Sequence, residues 1–350
     1  MCKGAVIQLV RKRYVSLLNV LACFSVVMLH ANGIFWSHPK GRLWISSLFI
    51  ETFFYWAVPV FFMLSGVTLL DYRDKYTTLE YAKKRICRTL IPFMAWSIFG
   101  MLFRQFYSNM NVDWSFTGIV SGMITSRYID IYWFFMPLFA VYMCIPALGA
   151  VPCNTRLRVF KPLCWLGVIF VVVLPFICTL LRIDYNRDLV PPVVCGYMVY
   201  LLAGYCLDKS QLKLSVRLII YFFGILGWAA HFWGTHVLSY GQSYIDGTFK
   251  GYLNLPGFMH SVAVFVFVKQ ITASHWLDKV PYLYSFFDRL SGLTFGIYLI
   301  HFYFVIAVPG LLHIKTASML YRTFGAVGIF ALSAIITFCL KKIPLLKHIV

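Results

Sequence analysis

The chain has 350 residues, of which 61% are hydrophobic and only 12% are charged. Because soluble domains carry about 25% charged residues, this composition excludes a soluble protein and predicts an all-α, polytopic helical bundle in a membrane. The formal net charge of +19 favours basic loops beside anionic membrane lipid, and the sequence holds no motif for nucleic-acid binding. The ten cysteines form no CxxC pair and no Cys/His spacing typical of a metal site.

Apolar segments and charged connections alternate along the chain, and we interpret residues 1–350 as a single transmembrane domain. The ten apolar segments are 14–33, 45–69, 89–107, 131–150, 163–181, 192–207, 218–237, 253–272, 292–312 and 322–340. With both termini in the cytoplasm, 22 of the 31 Lys and Arg residues fall on the cytoplasmic side and 9 on the outer side. The positive-inside rule therefore predicts this orientation. We expect no cleavable signal peptide, because the first segment is about twice as long as a signal core.

The first segment carries polar groups where lipid favours none. Arg11, Lys12 and Arg13 directly precede it, and Asn19 and His30 lie within it. Eleven residues along a helix bring two side chains to within about 20° of each other, so Asn19 and His30 share one face. Ionisable residues in a span usually face a bundle interior or a wet cavity, so we predict that His30 is the reactive group of this helix. The alternative is an interfacial histidine that only hydrogen-bonds to a neighbour.

The second segment contains a carboxylate and a pair of small residues. Glu51 lies about two turns from its outer end. A carboxylate beside an imidazole orients the ring, so we predict that Glu51 lies against His30. Its alternative role is that of a structural hydrogen-bonding group. Ser65 and Gly66, near the inner end, permit a close approach of another backbone.

Basic residues concentrate at the cytoplasmic start of the third segment, in the run YAKKRICRTLIPF. Arg85 and Arg88 are three residues apart and lie on one helix face, with Lys84 beside them. Two forked guanidinium groups in this position can bind phosphates in a bidentate manner. The alternative is that the positive-inside rule alone accounts for the basic cluster.

Two later segments add candidates for a substrate path. Trp133 lies at the outer start of the fourth segment, where an aromatic residue anchors the helix at the interface or stacks on a sugar ring. In the run GIYLIHFYF, Tyr298 and His301 are three residues apart and lie in mid-span on one face. A mid-span histidine cannot easily reach water, so it is a stronger functional candidate than one near a helix end.

The motifs occur in a characteristic order. A histidine ends the first segment, FFMLSG lies in the second, KKRxxRxxxP starts the third, and GIYLIH lies near the end. In this order the sequence resembles the membrane-bound acyltransferase family 3, which includes the O-acetyltransferases of bacterial surface polysaccharides. The resemblance covers essentially the whole chain. It implies an acyl-CoA donor on the cytoplasmic side and transfer to a sugar hydroxyl of a lipid-linked or exported glycan.

The resemblance also implies roles for individual residues. The positions that match the family's motifs are His30, Ser65, Gly66, Arg85, Arg88, Tyr298 and His301. By this match, His30 is the essential histidine of the first helix. The sequence departs from the family at two positions of that helix: the family's arginine eleven residues before the histidine is Asn19 here, and the preceding aspartate position is Ser16. Any role of that arginine in handling the donor must therefore fall to Arg85, Arg88 or Arg13.

Residues and resemblance together predict an acyltransferase of the bacterial inner membrane. Acetyl-CoA is the expected donor, and a cell-surface glycan or its lipid-linked precursor is the expected acceptor. His30 acts as general base or as covalent nucleophile, with Glu51 orienting it. The donor site is assigned to Arg85, Arg88, Lys84, Ser65 and Gly66. The substrate path, where Tyr298 or His301 can also hydrogen-bond the developing oxyanion, is assigned to Asn19, Trp133, Tyr298 and His301.

Two other classes of protein share the apolar spans and the intramembrane polar residues. A transporter or flippase for a lipid-linked glycan typically shows inverted repeats and paired broken helices, and the sequence displays neither. A glycan polymerase or ligase usually needs a large outer loop, whereas the longest predicted outer connection, 108–130, is modest. The acceptor sugar, the acyl chain, O- against N-acylation and the oligomeric state stay open at this point.

Overall fold

The computed structural model describes residues 13–273 and 281–350, and within these ranges the chain is all-α with no strand. Part of the predicted connection 269–291, and the basic residues Arg11 and Lys12, lie outside the described residues. The described helices, α1 to α15 in chain order, are Arg13–Ala31, Gly41–Phe54, Ala57–Leu69, Thr78–Arg85, Ile91–Tyr107, Phe116–Ile124, Phe135–Leu148, Cys153–Gly167, Leu174–Leu181, Met198–Lys209, Leu214–Ser239, Leu255–Ala273, Pro281–Ser291, Thr294–Leu311 and Ala326–Lys342.

Short π-helical segments make several of these helices continuous. The segment Ile86–Leu90 joins α4 to α5, Val168–Val173 joins α8 to α9, and Tyr321–Gly325 leads into α15. With these joints, nine helical stretches of the described chain are long and apolar enough to cross a membrane. The predicted all-α membrane bundle is thereby confirmed.

The sixth predicted segment, 192–207, differs from a full-length span. Its helix, α10, has only 12 residues and follows a 3₁₀ turn at Pro192–Val194. A helix of this length covers about 18 Å, well short of the hydrocarbon core. Residues 198–205 are all buried, so α10 is enclosed by protein. Non-helical backbone at membrane depth is tolerated only in such a setting, where other helices exclude lipid.

The centre of the bundle is built around α1, which packs against α2, α3, α12, α13, α14 and α15. Helix α10 packs mainly on α3 and α8. Helix α11 exposes most of its apolar side chains, as lipid-facing helices do, and α9 has no buried residue. The first helix thus packs against the helices that carry Glu51, Ser65, Gly66, Tyr298 and His301.

The crossing of α3 and α10 depends on two glycines whose backbones lie against the partner helix. A Cβ atom on Gly66 would lie 2.0 Å from the carbonyl oxygen of Leu201, and one on Gly204 would lie 2.2 Å from the carbonyl oxygen of Met63. The close backbone approach predicted for the Ser65–Gly66 pair is therefore confirmed. Interfaces between membrane helices commonly use small residues in this way.

We expect Gly204→Ala to destabilise the bundle, because the added methyl group collides with backbone atoms that cannot rotate away. Overpacking of this kind costs about 1–3 kcal/mol. The measurement is the thermal midpoint and the yield of monodisperse protein in detergent. Gly328→Ala is the matched control, since nothing lies within 4 Å of a Cβ atom at Gly328. Equal stability of the two variants would contradict the packing role of Gly204.

The two ends of the bundle differ in chemistry. At the end where α1 begins, Arg85 and Arg88 lie near the first turns of α1, and we call this the basic end. At the end where α1 finishes, Trp36 lies beyond the last turn, and Trp133 stacks on Tyr252 nearby. We call this the aromatic end. The candidate site extends between the two.

Candidate active site

A cavity of about 760 Å³ lies at the basic end. Its size falls in the range of about 300–1,000 Å³ that is typical of small-molecule sites. The polar side chains that line it are Ser16, Asn19, Ser65, Thr68, Lys75, Arg85, Arg88, Thr89, Asp288, Ser291 and Thr294. The aromatic residues Tyr76, Phe134, Tyr142, Phe295 and Tyr298 also contribute to its wall. The structure therefore brings five predicted site residues to one cavity: Asn19, Ser65, Arg85, Arg88 and Tyr298.

The helix start at Thr77 sets the position of the arginine pair. Thr77 and Glu80 form a capping box: the Glu80 N–H donates to Thr77 Oγ1 at 3.3 Å, and the Thr77 N–H donates to Glu80 Oε2 at 2.8 Å. Helix α4 ends at Arg85, and the π-helical segment that follows holds Arg88. Such π-segments often occur at functional sites, because they change the direction of side chains within an otherwise regular helix.

The two guanidinium groups keep their capacity to bind an anion. The Arg85 guanidinium carbon lies 5.4 Å and 5.8 Å from the ring centres of Tyr142 and Tyr81. Its Nε is buried and has no hydrogen-bond partner. Within the described ranges, neither Arg85 nor Arg88 forms an ion pair with a carboxylate. Two unpaired guanidinium groups in a cavity wall are a suitable receptor for phosphate.

Three other residues of the predicted donor site have distinct positions. Ser65 lines the cavity, and its hydroxyl donates to the Phe61 carbonyl at 3.0 Å. Gly66 faces Leu201 of α10, so it serves helix packing and is not part of the cavity wall. Lys84 also lies outside the wall, with its ammonium 3.6 Å from the ring centre of Tyr76. The structure thus separates the arginine pair from Lys84.

Asn19 joins α1 to the start of α14. Its amide nitrogen donates to Thr294 Oγ1 at 2.8 Å and to Ser291 Oγ at 3.2 Å. One turn earlier, the Ser16 hydroxyl donates to Asp288 at 2.7 Å. The two positions at which this chain departs from the family pattern therefore hold neutral groups that hydrogen-bond across one side of the cavity. The arginines that line the cavity come from other elements, with Arg85 at the end of α4 and Arg88 in the π-helical segment after it.

His30 and His301 form a hydrogen-bonded pair, although they are 271 residues apart in sequence. His30 Nδ1 lies 2.8 Å from His301 Nε2, and the two rings stack with their centres 5.1 Å apart. His301 is fully buried, and its Nδ1 lies 2.8 Å from the Tyr298 carbonyl oxygen. The two histidines that the sequence singled out separately thus form a single pair.

The hydrogen bonds of this pair assign its protons. A carbonyl oxygen can only accept, so His301 Nδ1 carries a proton and donates it to Tyr298. In the neutral ring His301 Nε2 is then an acceptor, and His30 Nδ1 must be the donor. The remaining nitrogen of neutral His30, Nε2, therefore bears a lone pair, which is the state that a general base or a nucleophile requires. His301 holds the His30 ring in this tautomer.

Tyr298 connects the cavity to the histidine pair. It lines the cavity, and its ring centre lies 5.8 Å from that of His301. Its hydroxyl donates to the Ile131 carbonyl at 2.5 Å. In this arrangement Tyr298 lines the cavity wall, and its hydroxyl proton is already donated to a carbonyl and not free for a developing oxyanion.

The structure corrects the predicted partner of Glu51. Its carboxylate accepts a hydrogen bond of 2.7 Å from the ammonium group of Lys250, and both side chains are buried. His30 Nδ1 is instead occupied by His301. Burial lowers the pKa of Lys250, whereas the negative charge of Glu51 acts in the opposite direction. Lys250 belongs to a connection between spans, and its only signal in the sequence is a lone cation among glycines and aromatic residues.

Trp133 lies at the aromatic end and belongs to a continuous stack of three rings. Its ring centre is 5.5 Å from that of Tyr252, and Tyr252 lies 4.2 Å from Tyr55 in a nearly parallel arrangement. The ammonium group of Lys250 lies 3.9 Å from the Tyr55 ring centre. We call Trp133, Tyr252 and Tyr55 the aromatic stack. It leads from an exposed indole to the buried ion pair of Glu51.

Arg322 is a buried residue that sequence reasoning missed. Its guanidinium group donates to Asn32 Oδ1 at 3.2 Å and to Ser46 Oγ at 2.9 Å. Asn32 in turn donates to the Ser47 carbonyl at 2.8 Å. This network fixes the chain two residues beyond His30, so we interpret Arg322 as a positioning residue. The available signal was a cation on the side of the membrane where the positive-inside rule does not call for one.

Comparison with known proteins identifies the family of the chain. A family model described as an acyltransferase domain, that of acyltransferase family 3, matches residues 12–338. No curated protein and no solved structure matches the chain. The matched region contains the cavity, the arginine pair and both histidines. Because the match covers nearly the whole chain, the protein belongs to acyltransferase family 3.

Proposed function

We propose that the protein transfers an acetyl group from cytoplasmic acetyl-CoA to a sugar hydroxyl of a cell-surface glycan or of its lipid-linked precursor. In this proposal the protein lies in the bacterial inner membrane with both termini in the cytoplasm. The family match supports membrane acyltransferase activity in general. The donor, the acceptor and the membrane are part of the proposal.

One observation carries the proposal: the cavity that holds Arg85 and Arg88 at one side also reaches Tyr298, which contacts His301 of the histidine pair. Coenzyme A is a long molecule with several phosphates at one end and a thioester at the other. A site for it needs cations at the mouth and a reactive group at the far end. Arg85 and Arg88 supply the cations, and His30 supplies the reactive nitrogen.

The tautomer of His30 allows a balanced reaction. His30 Nε2 takes the proton of the acceptor hydroxyl while the hydroxyl oxygen attacks the thioester carbonyl carbon. The tetrahedral intermediate then expels the thiolate, the carbon–sulfur bond breaks, and the thiolate takes the proton from the His30 imidazolium. The products are the acetyl ester and free coenzyme A. In the covalent alternative, Nε2 itself attacks the thioester and the acceptor oxygen displaces the imidazole in a second step.

The deciding experiment is incubation of the purified protein in lipid nanodiscs with radiolabelled acetyl-CoA, with and without an envelope glycan fraction. We expect slow hydrolysis of acetyl-CoA without the glycan and label in an alkali-labile ester with it. A protein that keeps its radiolabel through gel filtration, and then transfers that label to added acceptor glycan, would favour the covalent route. Movement of a lipid-linked glycan across the bilayer with no turnover of acetyl-CoA would instead favour a flippase.

The orientation gives a separate prediction. We expect a cysteine introduced by Asn111→Cys, in a background without other accessible cysteines, to react with an impermeant thiol reagent in cells with a permeabilised outer membrane. Asn111 is exposed in the connection between α5 and α6, and the excess of basic residues on the other side of the membrane supports an outer position for this connection. Labelling that requires disruption of the inner membrane would reverse the orientation.

A further inference from the structure

The aromatic stack is unusual because it runs from the interior of the bundle to an open surface. Tyr55 is only 8% exposed, whereas the Trp133 indole at the other end is 36% exposed. Trp36 is 56% exposed, and its ring centre lies 4.9 Å from the ammonium group of Lys250. An interface anchor presents its ring to lipid. Tyr55 and Tyr252 instead lie face to face within the protein, so anchoring does not account for the stack.

The stack also carries hydrogen-bonding groups that the protein leaves unused. In the described part of the chain, the hydroxyl groups of Tyr55, Tyr197 and Tyr252 and the indole N–H of Trp133 form no hydrogen bond. Tyrosine and tryptophan side chains of low exposure normally find a partner for these groups. None of the three phenol oxygens is sealed from solvent, so they remain available to a bound molecule. Flat ring faces and free polar groups therefore occur together in a small volume.

The position of the stack is fixed from two sides. The Tyr200 hydroxyl donates to the Tyr252 carbonyl at 2.5 Å. Two residues earlier, Lys250 joins the same connection to Glu51 of α2. The buried ion pair thus holds Tyr252 against Tyr55, and this gives Glu51 a role that does not involve His30.

The stack adjoins the donor cavity through one aromatic residue. Phe134 lines the cavity, and its ring centre lies 5.6 Å from that of Tyr298 and 6.4 Å from that of Trp133. The cavity lies at the basic end and reaches the histidine pair through Tyr298, whereas the stack lies at the aromatic end. A molecule on the stack would therefore lie on the side of the site that the donor leaves free.

We propose that the aromatic stack, together with Tyr197 and Trp36, is the binding subsite for a pyranose ring of the acceptor glycan. The inference rests on the proposed function and extends it to the residues that select the acceptor. One face of a pyranose presents C–H groups that pack on the electron-rich face of an aromatic ring, and its edge presents hydroxyls. Tyr252 lies between Trp133 and Tyr55, so the ring faces that stay open are those of the exposed Trp133 and Trp36. These faces and the unused phenol and indole groups match both requirements. A lipid chain would use the faces and leave the polar groups unsatisfied.

The test measures glycan binding without acetyl-CoA. The probe is the unacetylated envelope glycan purified from cells that lack this protein, titrated into the full chain in nanodiscs. We expect Trp133→Ala to weaken binding about three- to tenfold, because aromatic contacts of this kind contribute up to about one order of magnitude in affinity. Trp133→Phe keeps a flat ring and loses the indole N–H, so it should bind less tightly than wild type and more tightly than Trp133→Ala. Tyr252→Phe removes only a hydroxyl and should weaken binding about two- to tenfold.

Trp114→Ala is the matched control, because Trp114 is 40% exposed in the connection between α5 and α6 and its indole donates to Gln105. Its glycan affinity should equal that of wild type, and all variants should keep the wild-type affinity for acetyl-CoA. Equal glycan binding by wild type, Trp133→Ala and Tyr252→Phe would overturn the subsite, as would a wild-type protein that binds no glycan. Glycan binding that depends on Trp133 without any acetyl transfer would support the subsite and refute the proposed function.

Discussion

His30→Ala is expected to lower the rate of acetyl transfer by about 10²- to 10⁴-fold, which is the typical contribution of a general base, and a covalent nucleophile contributes at least as much. The variant should keep its fold and its affinity for acetyl-CoA, because His30 is not part of the cavity wall that holds Arg85 and Arg88. The measurement is single-turnover transfer beside equilibrium binding of acetyl-CoA. Near-normal transfer by His30→Ala would show that His30 is not the catalytic group.

Variants of His301 test the proton assignment within the pair. His301→Ala leaves the Nδ1 proton of His30 without its acceptor, so we expect a slower rate and some loss of stability. His301→Gln can still accept that proton and should retain more of the activity. His260→Ala is the control for removal of an imidazole from another membrane-spanning helix, α12, and should leave transfer unchanged. Equal activity of His301→Ala and His301→Gln would contradict a tautomer-holding role.

Arg85→Ala and Arg88→Ala are each expected to weaken binding of acetyl-CoA about 10- to 100-fold, since a charge-assisted hydrogen bond contributes about 1.5–3 kcal/mol. The measurement is a binding titration at constant salt, because screening weakens exposed charges. Arg85→Lys keeps the charge and loses the fork, so it should bind less tightly than wild type and more tightly than Arg85→Ala.

Lys84→Ala is the matched control for the loss of a positive charge. The Lys84 ammonium stacks on Tyr76 and does not line the cavity, so its removal should cost less than the removal of either arginine. Acetylpantetheine, which lacks the nucleotide phosphates, provides a second control. The arginine variants should bind it as wild type does if the arginines bind those phosphates. Equal losses of acetyl-CoA affinity in Arg85→Ala, Arg88→Ala and Lys84→Ala would indicate a general effect of positive charge.

The sequence alone allowed prediction of features that depend on one segment at a time. Length and hydropathy identified the spans, with one exception. Helix α10 has only 12 residues, and a helix this short is tolerated at membrane depth because neighbouring helices enclose it. Local charge density identified Arg85 and Arg88, which the structure places in one cavity. His30 and His301 were each notable because an imidazole is costly within a span.

Contacts between segments that are distant in the chain could not be predicted from the sequence. The contact of His30 with His301 spans 271 residues, and that of Glu51 with Lys250 spans 199 residues. No periodicity encodes such pairings, since they arise from the order in which helices pack. Glu51 is the carboxylate nearest to the first segment along the chain, so the sequence predicts a contact with His30. In the structure its carboxylate instead pairs with Lys250, which lies in a connection between two later spans. Arg322 was missed for the same reason.

The pairing of α1 with α14 has a consequence for biogenesis. Helices of a polytopic protein leave the ribosome from the amino terminus onward, so His30 is synthesised long before His301. During that interval the first helix has no partner for its imidazole, and a nascent chain lacks the arrangement that sets the reactive tautomer. Catalytic competence therefore arrives late in synthesis, after most of the spans are in place. A chain that ends before α14 would contain the arginine pair but would lack both His301 and the part of the cavity wall formed by Thr294 and Tyr298.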